Sequence, residues 1–315
     1  MSFTAEVKEE LSRVAPRRRC CPAAELGALV RVEGTIHVAG PERFRLELAT
    51  ETAPVARKTI KLMHEPFGLK TELTVRRSIL HKATNYLITV PAQPRLPKVL
   101  RDIGVLNQGG DLVFGILPTL VRNDCCAVAY LRGAFLGGGF VADPHGDFHF
   151  ELTAQTGELA EDLAELMERF DLPAKVSKRR NLWTVYLKGG EAIVEFLALV
   201  GAHRALLRTE DVRIIKSMRA DVNRVVNAET ANAQKAAQAA VQQLEDIRQL
   251  AADPGLDKLP KALQEMAYLR LEHPEVSLRE LGELADPPLS KSAVYHRIRR
   301  IEQMAARMRE DEAGD

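Results

Sequence analysis

Between Ser290 and Arg309 the sequence sets six Lys or Arg residues against one acid, Glu302, on a chain of 315 residues whose net charge is only +1. Lys291, Ser292, Tyr295, His296, Arg297, Arg299 and Arg300 fall on the face opposite Val294, Ile298 and Ile301. Those apolar spacings of four and three predict a helix, with Ser290 as its N-cap. A cationic face confined to one helix is the electrostatic footprint of a polyanion partner. Two shorter helices are expected before it. One runs from about Pro260 to Leu271 with Leu263, Met266 and Ala267 inward. The other starts at Ser277 in a capping box with Glu280, carries Leu278, Leu281 and Leu284 as its apolar stripe, and stops at Asp286-Pro287-Pro288. The last helix of such a capped three-helix unit is where a helix-turn-helix places its recognition helix in the major groove. Residues at the N-terminus of that helix reach base edges, so Lys291, Ser292, Tyr295 and His296 are the expected base readers and Arg299 and Arg300 the expected phosphate contacts.

Two other groups of residues could do chemistry. From Asp211 to Leu250 the chain has no proline or glycine and is rich in Ala, Gln and Asn, which predicts one long polar helix. Asn223, Asn227, Gln234 and Gln238 lie near one of its faces, with Arg219, Arg224 and Lys235 beside them. Two readings stay open: a solvated connector, or a contact in which Asn223 and Asn227 pair with bases while Arg224 and Lys235 neutralise phosphates. The four cysteines form two vicinal pairs, Cys20-Cys21 and Cys125-Cys126. Vicinal residues pair as disulfides only with strain, and no Cys-x-x-Cys motif occurs, so reduced, buried small residues are expected rather than metal ligands.

The cysteine pairs also mark an internal repeat. The segment from Cys20 to Val30 recurs from Cys125 to Phe135, and Glu47-Leu48, Thr52, Ala56, Leu62-Met63, Phe67 and Leu69 reappear as Glu151-Leu152, Thr156, Ala160, Leu166-Met167, Phe170 and Leu172. Each copy begins with a small-residue helix, Ala23 to Val32 and Tyr130 to Leu136, with αL glycine stops expected at Gly34 and at Gly137 to Gly139. Alternating strands follow at Arg43 to Leu48 and Asp147 to Leu152. An amphipathic helix comes next, Ala53 to Glu65 and Glu158 to Phe170. A β-rich stretch closes each copy, Val75 to Val90 and Lys175 to Leu187, with basic turns at Arg76-Arg77 and Lys178-Arg179-Arg180. The expected division is 1–104 and 105–207 for the two halves, 208–255 for the connecting helix and 256–315 for the helix-turn-helix domain.

Composition is that of a globular protein, 46% apolar and 28% charged. No run approaches a membrane span, and the first nineteen residues, charged and amphipathic, lack a signal-peptide core, so a cytoplasmic protein is expected, nucleoid-associated if the cationic last helix binds DNA.

The duplicated helix-hairpin-helix-hairpin order, opened by Gly27-Ala28 and Gly133-Ala134, resembles the LAGLIDADG homing-endonuclease fold. That resemblance implies an α+β chain: a duplicated αββαββ saddle whose opening helices pack at a pseudo-twofold seam, followed by an all-α helix-turn-helix domain. In nucleases of this fold an acid ends each opening helix and holds a divalent metal beside the scissile phosphate. Laid on this sequence, those positions are Glu33 and Gly138, and glycine has no ligand to offer. Loss of cleavage is therefore expected, with no metal and no cofactor at that site. The order of domains, together with Asn223 to Asn232 and Leu289 to Arg297, resembles the WhiA family. That likeness implies a regulator of cell-division and sporulation genes in filamentous actinobacteria. It would act at promoter DNA with RNA polymerase and its sigma factor, alongside a WhiB-type iron–sulfur protein. A metal-dependent nuclease and a polymerase-docking scaffold with weak DNA affinity are the rival readings.

Overall fold

A computed structural model describes residues 2–40, 42–77, 84–179 and 182–314, with side chains described up to 310 apart from Arg179. The chain divides into two compact units, Met1–Lys216 and Ser217–Asp315.

In the first unit, helix α1 (Phe3–Ser12) precedes two copies of one arrangement. The first copy is α2 (Cys21–Glu33), β1 (Gly34–Gly40), β2 (Arg43–Thr50), α3 (Ala53–His64), β3 (Glu72–Arg77), β4 (Thr84–Val90) and α4 (Leu96–Asp102). The second is α5 (Asp124–Gly138), β5 (Gly139–Val141), β6 (Phe150–Ala154), α6 (Gly157–Glu168), β7 (Lys175–Arg179), β8 (Leu182–Leu187) and α7 (Gly190–Val200). The antiparallel sheets have the same topology, β1-β2-β4-β3 and β5-β6-β8-β7, so the repeat in the sequence is a repeat in the fold. Leu46 and Leu48 of β2, like Phe150 and Leu152 of β6, point into the core because strand side chains alternate, leaving Arg45 and Glu47 on the other face.

The opening helices pack against each other along a seam. A Cβ on Gly133 would lie 2.3 Å from the backbone oxygen of Glu25, so only glycine lets the helices approach this closely. Gly27 serves a different contact: its missing Cβ makes room for the carbonyl of Ile103, just beyond α4. Gly34 and Gly139 are not the αL stops expected of them. Both are extended (φ −79°), leading each opening helix straight into a strand, and a Cβ at either would strike the helix just left, at Val30 and Phe135. Helix α1 was legible only as charged and amphipathic, yet it buries Phe3, Val7 and Leu11, each burial stabilising by roughly 1.5–3 kcal/mol. Arg76, Arg77, Lys178 and Arg179 are strand residues rather than turns, and Arg180 lies outside the described residues.

The long helix α8 spans His203–Ala252, starting eight residues before the expected Asp211. In the second unit its last turns join α9 (Lys261–Glu272), α10 (Leu278–Glu283) and α11 (Lys291–Gly314) in one core. Ile247 and Leu250 of α8 pack there with Leu263, Met266, Ala267, Leu281, Val294, Ile298 and Ile301, so this core is built by four helices and not three. Ser277 and Glu280 cap α10 reciprocally, as their spacing predicts. Leu284, expected on the inward stripe, is instead exposed, because α10 ends at Glu283.

Candidate nucleic-acid interface

The first turns of α11 are held by three local devices. The Ser290 hydroxyl accepts from the amide of Ala293 at 3.2 Å, satisfying an N-terminal donor. The turn from α10 is closed by the Leu289 amide donating to the Gly282 carbonyl, and a Cβ on Gly282 would lie 2.3 Å from the Leu289 oxygen. Beneath the helix, Val294, Ile298 and Ile301 are all nearly inaccessible. The opposite face is thereby fixed outward. Lys291, Tyr295 and Arg299 form one exposed row and Ser292, His296 and Arg300 the next, with Tyr295 edge-on to His296 at 5.7 Å between ring centres. Among the described residues Lys291, Arg299 and Arg300 have no acidic partner. Two members of the basic run are set differently. Arg297 is half-buried and donates to the Ala262 carbonyl of α9 at 3.5 Å, and Arg309 is paired with Asp246 at 2.7 Å. The usable positive charge is thus smaller than the count from Ser290 to Arg309 and lies nearer the N-terminus of α11.

On α8, Asn223, Arg224, Asn227 and Lys235 are all exposed, and Arg224 is paired with Asp221 three residues earlier. The same stretch carries exposed Met218, Val222 and Val225 at helical spacing, an apolar stripe the sequence reading passed over because it followed the polar residues.

The other site to weigh is the pair of positions that end the opening helices. Glu33 is the last residue of α2 and Gly138 the last of α5. Glu33 lines a cavity with Lys8, Glu51, Thr52 and Asn85. Burial raises the Glu33 carboxyl to about 8, against the opposing pull of Lys8 and with added repulsion from Glu51. Burial likewise lowers the Lys8 ammonium. The Lys8 amine donates to the Gly137 carbonyl at 2.7 Å, so a side chain from α1 reaches the end of the second opening helix. At Gly138 any Cβ would lie 2.1 Å from Thr153 Oγ1 and 2.6 Å from Val32 Cγ1. This donor set does not fit a divalent cation. One acid favours its protonated form near neutral pH, the partner position has no space for a side chain, and an amine reaches into the gap. Gly138→Asp should therefore restore no magnesium- or manganese-dependent cleavage of plasmid DNA and should lower the melting temperature by several degrees. Metal-dependent nicking by that variant would show that the cavity can still assemble a metal site.

The four cysteines, which the sequence reading kept apart as two pairs, come together. Their Sγ atoms all lie within 4.8 Å of one another at the N-terminal ends of α2 and α5. The signal that could have found them is the repeat itself: equivalent positions on two helices packed about a pseudo-twofold seam meet one another.

Comparison with known proteins covers most of the chain. Residues 19–106 match the model of the WhiA N-terminal LAGLIDADG-like domain, 127–219 the WhiA LAGLIDADG-like domain, and 222–305 the WhiA C-terminal HTH domain. A protein of Desulforamulus reducens named probable cell division protein WhiA is 49% identical over 98% of this chain and 97% of its own length. One of the same name from Heliobacterium modesticaldum is 47% identical over 97% and 96%. The crystal structure of full-length DUF199/WhiA from Thermatoga maritima superposes with a TM-score of 0.59 at 26% identity, covering 98% of this chain and 99% of that one. The crystal structure of the N-terminal LAGLIDADG domain of DUF199/WhiA shares the fold, with a TM-score of 0.51 at 22% identity over 64% of this chain and 90% of that one.

Proposed function

The chain belongs to the WhiA family, and from that premise we propose that it is a sequence-specific DNA-binding regulator acting at the promoters of cell-division genes, without nuclease activity. The observation that carries this reading is the first three turns of α11, where Lys291, Ser292, Tyr295, His296, Arg299 and Arg300 are exposed on a helix locked from below by Val294 and Ile298. A rigid, cationic N-terminal helix face with a polar and aromatic edge is what major-groove reading requires. In this proposal Lys291, Ser292, Tyr295 and His296 read bases, Arg299 and Arg300 hold phosphates, and Ser290 and Arg297 position the helix. Asn223, Arg224, Asn227 and Lys235 of α8 supply auxiliary contacts. The relatives' name supports the cell-division part.

The finer role belongs to the same proposal: action in the cytoplasm at the nucleoid with RNA polymerase, its sigma factor and a WhiB-type iron–sulfur partner, extending to sporulation genes in an actinobacterial setting. No helix among the described residues is long and apolar enough to cross a membrane. We also propose the working division 1–104, 105–207, 208–255 and 256–315.

The test is the affinity of the full chain for promoter DNA of cell-division genes and for random DNA of equal length, at two salt concentrations, because phosphate neutralisation dominates affinity at any single salt. A preference for the promoter of about 10³-fold or more is expected. Equal affinity at both salts would sink the reading and leave a polymerase-docking scaffold in its place.

A further inference from the structure

The four thiols at the head of the seam form a ligand set. Cys20 Sγ lies 3.9 Å from Cys125 Sγ, and Cys125 Sγ lies 4.0 Å from Cys126 Sγ. All four sulfurs fall within 4.8 Å of one another. A zinc tetrathiolate, with Zn–S near 2.3 Å, holds its sulfurs about 3.8 Å apart, so the observed cluster needs only small side-chain adjustments to close around one ion.

Each pair sits where its helix begins. Cys20 is the N-cap of α2 and Cys21 its first residue, while Cys125 and Cys126 are in the first turn of α5 behind the cap Asn123. The sulfurs therefore lie at the positive ends of two helices, which offsets part of the burial that pushes the Cys21 and Cys126 thiols up. Exposed Arg17, Arg18, Arg19 and Arg122 adjoin the pairs in sequence and would offset the net −2 of a divalent ion held by four thiolates. Access is graded as a loading path requires: Cys20 is exposed, Cys125 half-buried, Cys21 and Cys126 buried. With no oxygen or imidazole ligand in the cluster, hard cations such as magnesium and calcium are disfavoured.

We propose that Cys20, Cys21, Cys125 and Cys126 bind one soft divalent cation, zinc being the expected occupant, in a closed tetrathiolate site that staples the two halves of the duplicated domain together. The site lies at the end of the seam helices opposite Glu33 and Gly138 and owes nothing to the degenerate nuclease cavity. A disulfide between Cys20 and Cys125 would require their sulfurs to close to about 2.05 Å and would leave Cys21 and Cys126 without a role. Loading releases the thiol protons, one for each ligand that was still protonated, and involves no change of oxidation state.

The test uses the full chain, stripped of metal under reducing conditions and titrated with cobalt(II), then with zinc(II). The expected result is one cobalt per chain, with the ligand-field and sulfur-to-metal charge-transfer bands of a tetrahedral tetrathiolate. Zinc should displace the cobalt and raise the melting temperature. Because Cys21 and Cys126 are buried and their replacement would disturb the core, the double variant Cys20→Ser, Cys125→Ser is the control. It should match the metal-free wild type in far-UV circular dichroism yet lose the bands and weaken zinc binding well beyond the 10–100-fold typical of losing a single outer-shell partner. Absence of the tetrathiolate spectrum in the wild type would overturn the proposal. So would bands that persist in the double variant, or a purified protein that carries a disulfide and refuses metal after reduction.

Discussion

Glu25→Ala should destabilise the protein by roughly 3–5 kcal/mol, the cost of leaving a buried charge without its partner. Glu25 is fully inaccessible on α2, and its carboxylate accepts from Arg132 Nε at 3.0 Å and Nη2 at 3.1 Å across the seam. Lys58 of α3 lies 3.1 Å away, and both cationic side chains are themselves about 5% exposed or less. One carboxylate thus serves two buried cations from different helices, and Arg132 finds one further acceptor, the Val200 carbonyl. Burial lowers the Lys58 ammonium and Glu25 pulls it back up. In the alanine variant that restraint is gone. A lysine whose folded pKa falls below its unfolded value binds fewer protons when folded, so stability rises with pH across that window. The loss should accordingly be greatest near neutral pH and shrink as pH approaches the unfolded lysine value near 10. Urea denaturation at pH 7 and pH 9.5 measures both. A loss under 1 kcal/mol at pH 7, or one independent of pH, would mean that water reaches Arg132 and Lys58 when the carboxylate is removed.

That triad was invisible in the sequence for a physical reason. Glu25, Lys58 and Arg132 are ordinary charged residues on helices whose periodicity gives their faces but not which helix meets which. The repeat was legible because its signal is a series of matched residues, and it carried the order of elements with it: both copies run helix, two strands, helix, two strands, and their sheets share one topology that the sequence alone did not specify. Glycine meaning was only half legible. Gly133 was read correctly as a seam contact, whereas Gly34 and Gly139 looked like helix stops and are glycine because the chain folds back against the helix it has just left. The capping box at Ser277 and the N-cap at Ser290 were readable to the residue, being set by hydrogen bonds three positions apart. Leu284 and Arg309 were not, since one depends on where α10 ends and the other on the return of α8 into the same core. The cysteine cluster follows from the repeat only once its pseudo-twofold is applied to Cys20-Cys21 and Cys125-Cys126 themselves, which brings the two pairs together.

Lys291→Ala and His296→Ala should each cost about 1–3 kcal/mol on promoter DNA and much less on random DNA, whereas Arg299→Ala and Arg300→Ala should weaken both alike and reduce the salt slope by about one each. The distinction follows from position along α11. A recognition helix enters the groove by its N-terminus, so side chains in its first two turns face base edges and those of the third reach the flanking backbone. Lys291 and His296 are exposed without an acidic partner among the described residues, so no ion pair has to break before they bind. Arg297 separates the two roles. Half-buried and leaning on the Ala262 carbonyl, it supports the angle between α9 and α11, and Arg297→Ala should lower stability along with affinity. Fluorescence anisotropy with the full chain, on promoter and random duplexes at two salts, reads all five variants. Equal losses on both duplexes for Lys291→Ala would move that residue to a phosphate. The same result for His296→Ala as well would take base reading away from α11 and shift the search to Asn223, Asn227, Gln234 and Gln238 on α8, exposed residues whose side-chain amides can pair bidentately with adenine.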